Sequence, residues 1–161
     1  MDAAAAVSTG DMVALVGDLW TSVVPFPEEG AAPVEATWPS PAQAVVRGTV
    51  DVEGAADVEG AWSGSVVVSC DEESGLRWAR AMLALEEDAT AADVEDTVAE
   101  IANVLGGAVK AQCAGGGRLL LPVVDHGEVG VGPSDPRASL AVSLSWPDAP
   151  DAVFTVSLLD A

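Results

Sequence analysis

The stretch TAADVEDTVAEIANVLGGAVKAQC, residues 90–113, keeps one helical period from end to end. At about 100° per residue, Val94, Val98, Ile101, Leu105 and Val109 fall in one narrow arc. A helix with a single apolar stripe must bury it against another element, so the rest of the chain has to supply an apolar surface. Thr90, followed three residues later by Asp93, makes a capping-box-like start that also sets acid at the positive end of the helix dipole.

Val-rich segments supply that surface. AQAVVRGTVDVEG and AWSGSVVVSC alternate in part and are joined through turn-forming residues, which predicts an antiparallel pair. GRLLLPVV, ASLAVSLSW and AVFTVSLLD read as three more strands, separated by Gly, Pro and Asp turns. Two further helices are expected. The first is TGDMVALVGDLWTSVV, with Met12, Val13, Val16, Leu19, Trp20 and Val23 at helical spacing and Thr9 or Asp11 as its cap. The second starts at Ser74, with Leu76, Trp78, Met82, Leu83 and Leu85 as its apolar set. The order is α-β-β-α-α-β-β-β, and strands joined through short turns favour an antiparallel sheet with the helices packed on one face. The class is therefore α+β. Residues 25–41 carry five prolines and are expected to be an irregular surface connection inside one domain of 161 residues.

Composition bounds the function. The formal charge is −20, with Lys110 and five arginines as the only permanent cations, which excludes the clustered positive charge a nucleic-acid partner requires. Apolar runs stop well short of the ~20 residues of a spanning helix, and MDAAAAVSTG lacks the basic start of a signal peptide. A soluble, cytoplasmic protein with protein partners is expected. Cys70 and Cys113 share no metal-like spacing with His126, the single histidine, so they read as reduced, apolar-like thiols, and His126 reads as a loop residue. No nucleophile elbow, P-loop or HExxH pattern occurs.

The face of the 90–113 helix opposite its apolar arc carries Asp96, Glu100, Asn103, Gly107 and Lys110. Glu100 and Asn103 are three apart and so present a carboxylate and a carboxamide side by side, facing outward. Asn103 is the one asparagine in an alanine-rich chain, at a cost of roughly half a kcal/mol against alanine in a helix interior. Gly107, on the same face, costs about 1 kcal/mol more unless it ends the helix or admits another surface. Both explanations of the glycine remain open at this point.

The ordered set of Glu100, Asn103, Gly107 and Lys110, followed by a strand with Leu121 and Pro122, resembles the CheX members of the CheC/CheX/FliY family. These are bacterial phosphatases acting on phosphorylated CheY-type receiver domains. RGTVDVEG and WSGSVVVS look similar to the family's paired strands, and RAMLALEED to the end of its preceding helix. Two positions depart from the family pattern: Ala99 stands where a glycine is usual, and Ala108 where an asparagine often follows. The first helix, GDLWTSVV, has no asparagine, so the chain offers one Glu-x-x-Asn helix, as CheX-type relatives do.

The resemblance implies an aspartyl-phosphate phosphatase in which Asn103 positions water and Glu100 docks on the receiver's lysine, with Gly107 and Lys110 at the partner contact. It implies no cofactor of the chain's own, Mg²⁺ on the partner receiver, and a homodimer. The competing reading is a non-catalytic module of the same fold that binds a signalling partner.

Overall fold

The computed structural model describes residues 7–23, 32–35, 46–126 and 137–161. In chain order the elements are α1 (Thr9–Val23), β1 (Val34–Glu35), β2 (Val46–Glu53), β3 (Gly64–Cys70), α2 (Glu72–Leu83), α3 (Ala91–Gln112), β4 (Arg118–Leu119), β5 (Val123–His126), β6 (Ala138–Trp146) and β7 (Ala149–Asp160). One antiparallel sheet runs β1-β6-β7-β3-β2-β4, and β5 shares with β4 the outer side of β2. The fold is α+β, as the sequence predicts.

Four details depart from the sequence reading. The second helix starts at Glu72, capped by Asp71, rather than at Ser74, and it ends at Leu83, so Leu85 lies beyond it. The run expected to be wholly irregular, residues 25–41, contains a two-residue strand, in which Val34 and Glu35 pair with Ser145 and Leu144. A residue following proline on a sheet edge needs no special conformation to extend, so Pro33 is compatible with it. The rest of that run lies outside the described residues. GRLLLPVV is not one strand but two, because Pro122 has no N–H for the ladder. The helix start at α1 is capped by Ser8 rather than Thr9 or Asp11. Its hydroxyl accepts from the Asp11 N–H at 3.0 Å, while the Asp11 carboxylate accepts from the Ser8 N–H at 2.9 Å.

Side chains of all three helices share one core with β2, β3, β6 and β7: Met12 and Val16 from α1, Trp78 from α2 and the α3 arc meet Val50, Val66, Leu144 and Phe154. Val67 and Leu159 form a separate, small cluster. Trp20, Trp78 and Trp146 meet edge to face, with centroid separations of 5.1, 4.8 and 5.9 Å. Trp146 donates to the buried Ser74 hydroxyl at 3.1 Å, and Arg77 covers its ring while gripping Asp148 through two bonds. These contacts tie α1 and α2 to the β6–β7 hairpin.

The seat of α3 is set by glycine. A Cβ at Gly48 in β2 would lie 2.9 Å from both the Val98 carbonyl oxygen and Val98 Cγ1. One at Gly106 in α3 would lie 2.9 Å from Val50 Cγ1. Each element thus gives up a side chain where the other crosses it, and the helix backbone rests almost on the sheet. The start of α3 is held by the capping box: Asp93 accepts from the Thr90 N–H at 2.8 Å and donates its own N–H to the Thr90 hydroxyl at 3.2 Å.

Gly48→Ala is expected to destabilise the protein by about 1–3 kcal/mol through backbone displacement, read as a lower urea midpoint. The Thr90 backbone N–H, then its hydroxyl, hold the Asp93 carboxyl below its ordinary value, and Ser8 does the same for Asp11. A carboxyl lowered in the folded state contributes stability above its unfolded value and loses that contribution as pH falls through its folded one. Stability should therefore be level near neutrality and decline on acidification below about pH 4. Thr90→Ala should remove about 1 kcal/mol at pH 7 and shrink that acid decline, measured by urea melts at pH 7 and pH 3.

Candidate active site

The site is built on α3. With Val98, Ile101, Leu105 and Val109 buried against the sheet, helical geometry turns Glu100, Asn103, Gly107 and Lys110 to the opposite side. The side chains differ in setting: Glu100 is exposed, whereas Asn103, Gly107 and Lys110 are half-buried. None of the described residues hydrogen-bonds or ion-pairs with the side chains of Glu100, Asn103 or Lys110. A carboxylate and a carboxamide are thus held on one turn with their bonding capacity unspent. Lys110, in the last turn, also sits at the negative end of the helix dipole.

The two glycines of the helix have separate reasons. Helix α3 continues to Gln112, so neither ends it. Gly106 is demanded from within, by Val50 and by Leu119, whose Cδ1 would be 3.1 Å from an added Cβ. Gly107 is not, since an added Cβ would meet only Leu119 Cδ2, at 4.0 Å. Among the described residues no contact accounts for its missing side chain, and it leaves the helix backbone open beside Asn103.

His126 is not a loop residue. It closes β5 opposite Val46, and its Nε2 bonds Glu95 near the start of α3. Sequence reading missed this pair because Glu95 and His126 are far apart in the chain, and VVDH, two apolar residues followed by two polar ones, carries no alternation that would extend the strand to His126. Beside it, Arg47 holds Asp125 by two bonds of 3.1 and 2.9 Å across the β2–β5 pairing. The edge strand next to the site is therefore fastened both to the sheet and to α3.

The cysteines are away from this chemistry. Both are free and buried, and loss of hydration, with the neighbouring Asp71 carboxylate second, pushes the Cys70 thiol up to about 12. Cys113 donates to the Val109 carbonyl at 3.2 Å. Among the described residues, no three His, Cys, Asp or Glu side chains gather as metal ligands, and no helix is long and apolar enough to cross a membrane.

The family model described as chemotaxis phosphatase CheX matches residues 52–132, half of the chain, with all of α3 inside the match. The chain belongs to the CheX family. No curated protein matches it. Among solved structures, CheX from Vibrio vulnificus is similar over 94% of both chains, with 18% identity and a TM-score of 0.68. CheX from Desulfovibrio desulfuricans covers 93% of this chain and 96% of its own, at 16% identity and a TM-score of 0.65. The CheX of a CheX–CheY–BeF3–Mg²⁺ complex from Borrelia burgdorferi covers 92% of this chain and 94% of its own, at 17% identity and a TM-score of 0.58. At these identities the likeness establishes a shared CheX fold.

The two glycines separate experimentally. Gly107→Ala should stabilise the isolated CheX protein by up to about 1 kcal/mol through helix propensity. Gly106→Ala should destabilise it by about 1–3 kcal/mol through overpacking against Val50. Thermal or urea melts of the two variants against wild type check the opposite signs.

Proposed function

We propose that this CheX protein hydrolyses the aspartyl phosphate of a CheY-like receiver domain, with Asn103 and Glu100 as its catalytic pair. The observation that carries the reading is the placement of these two side chains, without a partner among the described residues, on the outward face of a helix whose other face is locked to the sheet. Membership of a phosphatase family and the Borrelia complex, in which a CheX is bound to CheY, support it.

The reaction adds water to phosphorus as the bond between phosphorus and the receiver's carboxylate oxygen breaks. It returns a free carboxylate and inorganic phosphate. The phosphorylated receiver brings Mg²⁺ and a lysine with it, and these supply charge stabilisation as part of the substrate. What remains for the phosphatase is to hold water in line. A carboxamide fits that task, since its oxygen accepts a hydrogen bond from water while its NH₂ group donates to a phosphoryl oxygen. Glu100, exposed one turn away, pairs with the receiver's lysine and fixes the helix over the acidic pocket. Gly107 lets the partner's backbone come close, and Lys110 lies at the same contact.

Rigidity makes this arrangement effective. A water-positioning group must be held within a fraction of an ångström, and the Gly48 and Gly106 contacts deny α3 room to rock. Asn103→Ala should lower the rate of receiver dephosphorylation about 10²-fold or more with a melting curve unchanged or raised slightly, by helix propensity. Glu100→Ala should chiefly weaken binding to the activated receiver. Decay of phosphorylated receiver and titration with a BeF3-activated receiver measure the two effects. Full turnover by Asn103→Ala would reject its role, and binding by the wild type without phosphate loss would mark a non-catalytic module.

A further inference from the structure

The edge strand beside α3 contains an irregularity that aims one side chain outward. Leu119 pairs with Val52 and Val123 with Thr49, so four steps along the edge oppose three along β2. One extra residue is accommodated between them, as in a β-bulge. Leu120 still donates to the Asp51 carbonyl at 3.0 Å, and Pro122 has no N–H to offer. At the bulge Leu121 is 87% exposed, the highest value among the large apolar side chains of the described residues.

Its position relative to α3 follows from two anchors. Leu119 packs at Gly106 and Gly107, and His126 bonds Glu95, so residues 119–126 run antiparallel alongside α3. From Glu95 to Gly106 the helix rises about 17 Å, while the seven steps from Leu119 to His126 would span about 23 Å in a regular strand and are shortened by the bulge. Leu121, two residues beyond Leu119, therefore stands level with the turn that carries Asn103.

Charge decides what this side chain faces. At a net charge of −20 the protein gains no long-range attraction toward an acidic receiver pocket, so affinity has to come from contacts at short range. Residues 119–124, LLLPVV, carry no charge, although charged residues make up 20% of the chain. A second copy adding its own strand here is opposed by the bulge and by Pro122, both devices that blunt a sheet edge. We propose that Leu121 is a docking residue for the receiver, burying its side chain against apolar surface next to the phosphorylation pocket while Asn103 enters it. This rests on the phosphatase reading above and extends it to the binding surface.

The test uses full-length wild type, Leu121→Ser, Leu121→Met and Asn103→Ala, with receiver domains of the same genome phosphorylated by acetyl phosphate in Mg²⁺. Leu121→Ser should raise KM, and the Kd for the BeF3-activated receiver, about tenfold, with kcat and melting curve retained. Leu121→Met should restore both, and Asn103→Ala should show the converse pattern, with kcat lost and Kd kept. Unchanged KM and Kd in Leu121→Ser, with the wild type active, would overturn the docking role alone. A wild type that dephosphorylates none of the receivers would overturn the phosphatase reading and this proposal together. A Leu121→Ser variant that sediments as a smaller species than the wild type would overturn it in favour of a second copy as the occupant.

Discussion

Everything the candidate site does depends on how closely α3 lies on the sheet. Gly48 under Val98 and Gly106 over Val50 remove the two side chains that would hold the layers apart, and the buried stripe from Val98 to Val109 fills what remains. Close packing of this kind permits discrete arrangements rather than continuous drift, so the outward face of the helix inherits a definite position. A helix seated on bulkier residues would still be amphipathic but would stand farther off. The height at which Asn103 stands above the sheet would then change with it.

The tryptophan group and the ion pairs complete that frame. Trp20, Trp78 and Trp146 join α1, α2 and the β6–β7 hairpin into one apolar body. Cations are scarce, and three of the six stand in ion pairs: Arg47 with Asp125, Arg77 with Asp148, Arg118 near Glu53. The last of these is exposed and 3.9 Å long, so it contributes little. Among the described residues Lys110 stays without an ion pair, on the face that carries Glu100 and Asn103. The surplus of acid then acts as a filter on partners rather than as glue. It repels polyanions and leaves short-range complementarity to decide between protein partners.

A phosphatase of this type needs little chemistry of its own, because a phosphorylated receiver already carries the metal and the cation. In the proposed reaction one carboxamide beside one carboxylate is therefore a sufficient set.

Periodicity alone, read from the residues, determined the three helices, the antiparallel pair β2–β3, the hairpin strands β6 and β7, the capping box at Thr90 and the sidedness of α3, because each of these is local or repeats at a fixed interval. The ordered Glu100, Asn103, Gly107 and Lys110 also marked the family. Tertiary structure decided what depends on residues far apart in the chain. It separated Gly106, required by Val50 and Leu119, from Gly107, required by none of the described residues. It broke LLLPVV at Pro122 and turned Leu121 outward, a consequence of β2 setting the register on one side of the bulge and on the other. It made His126 the clasp of an edge strand on Glu95. A pattern of residues can state which face of a helix is wet, but what stands beside that face is set by the strand that arrives there from elsewhere in the fold.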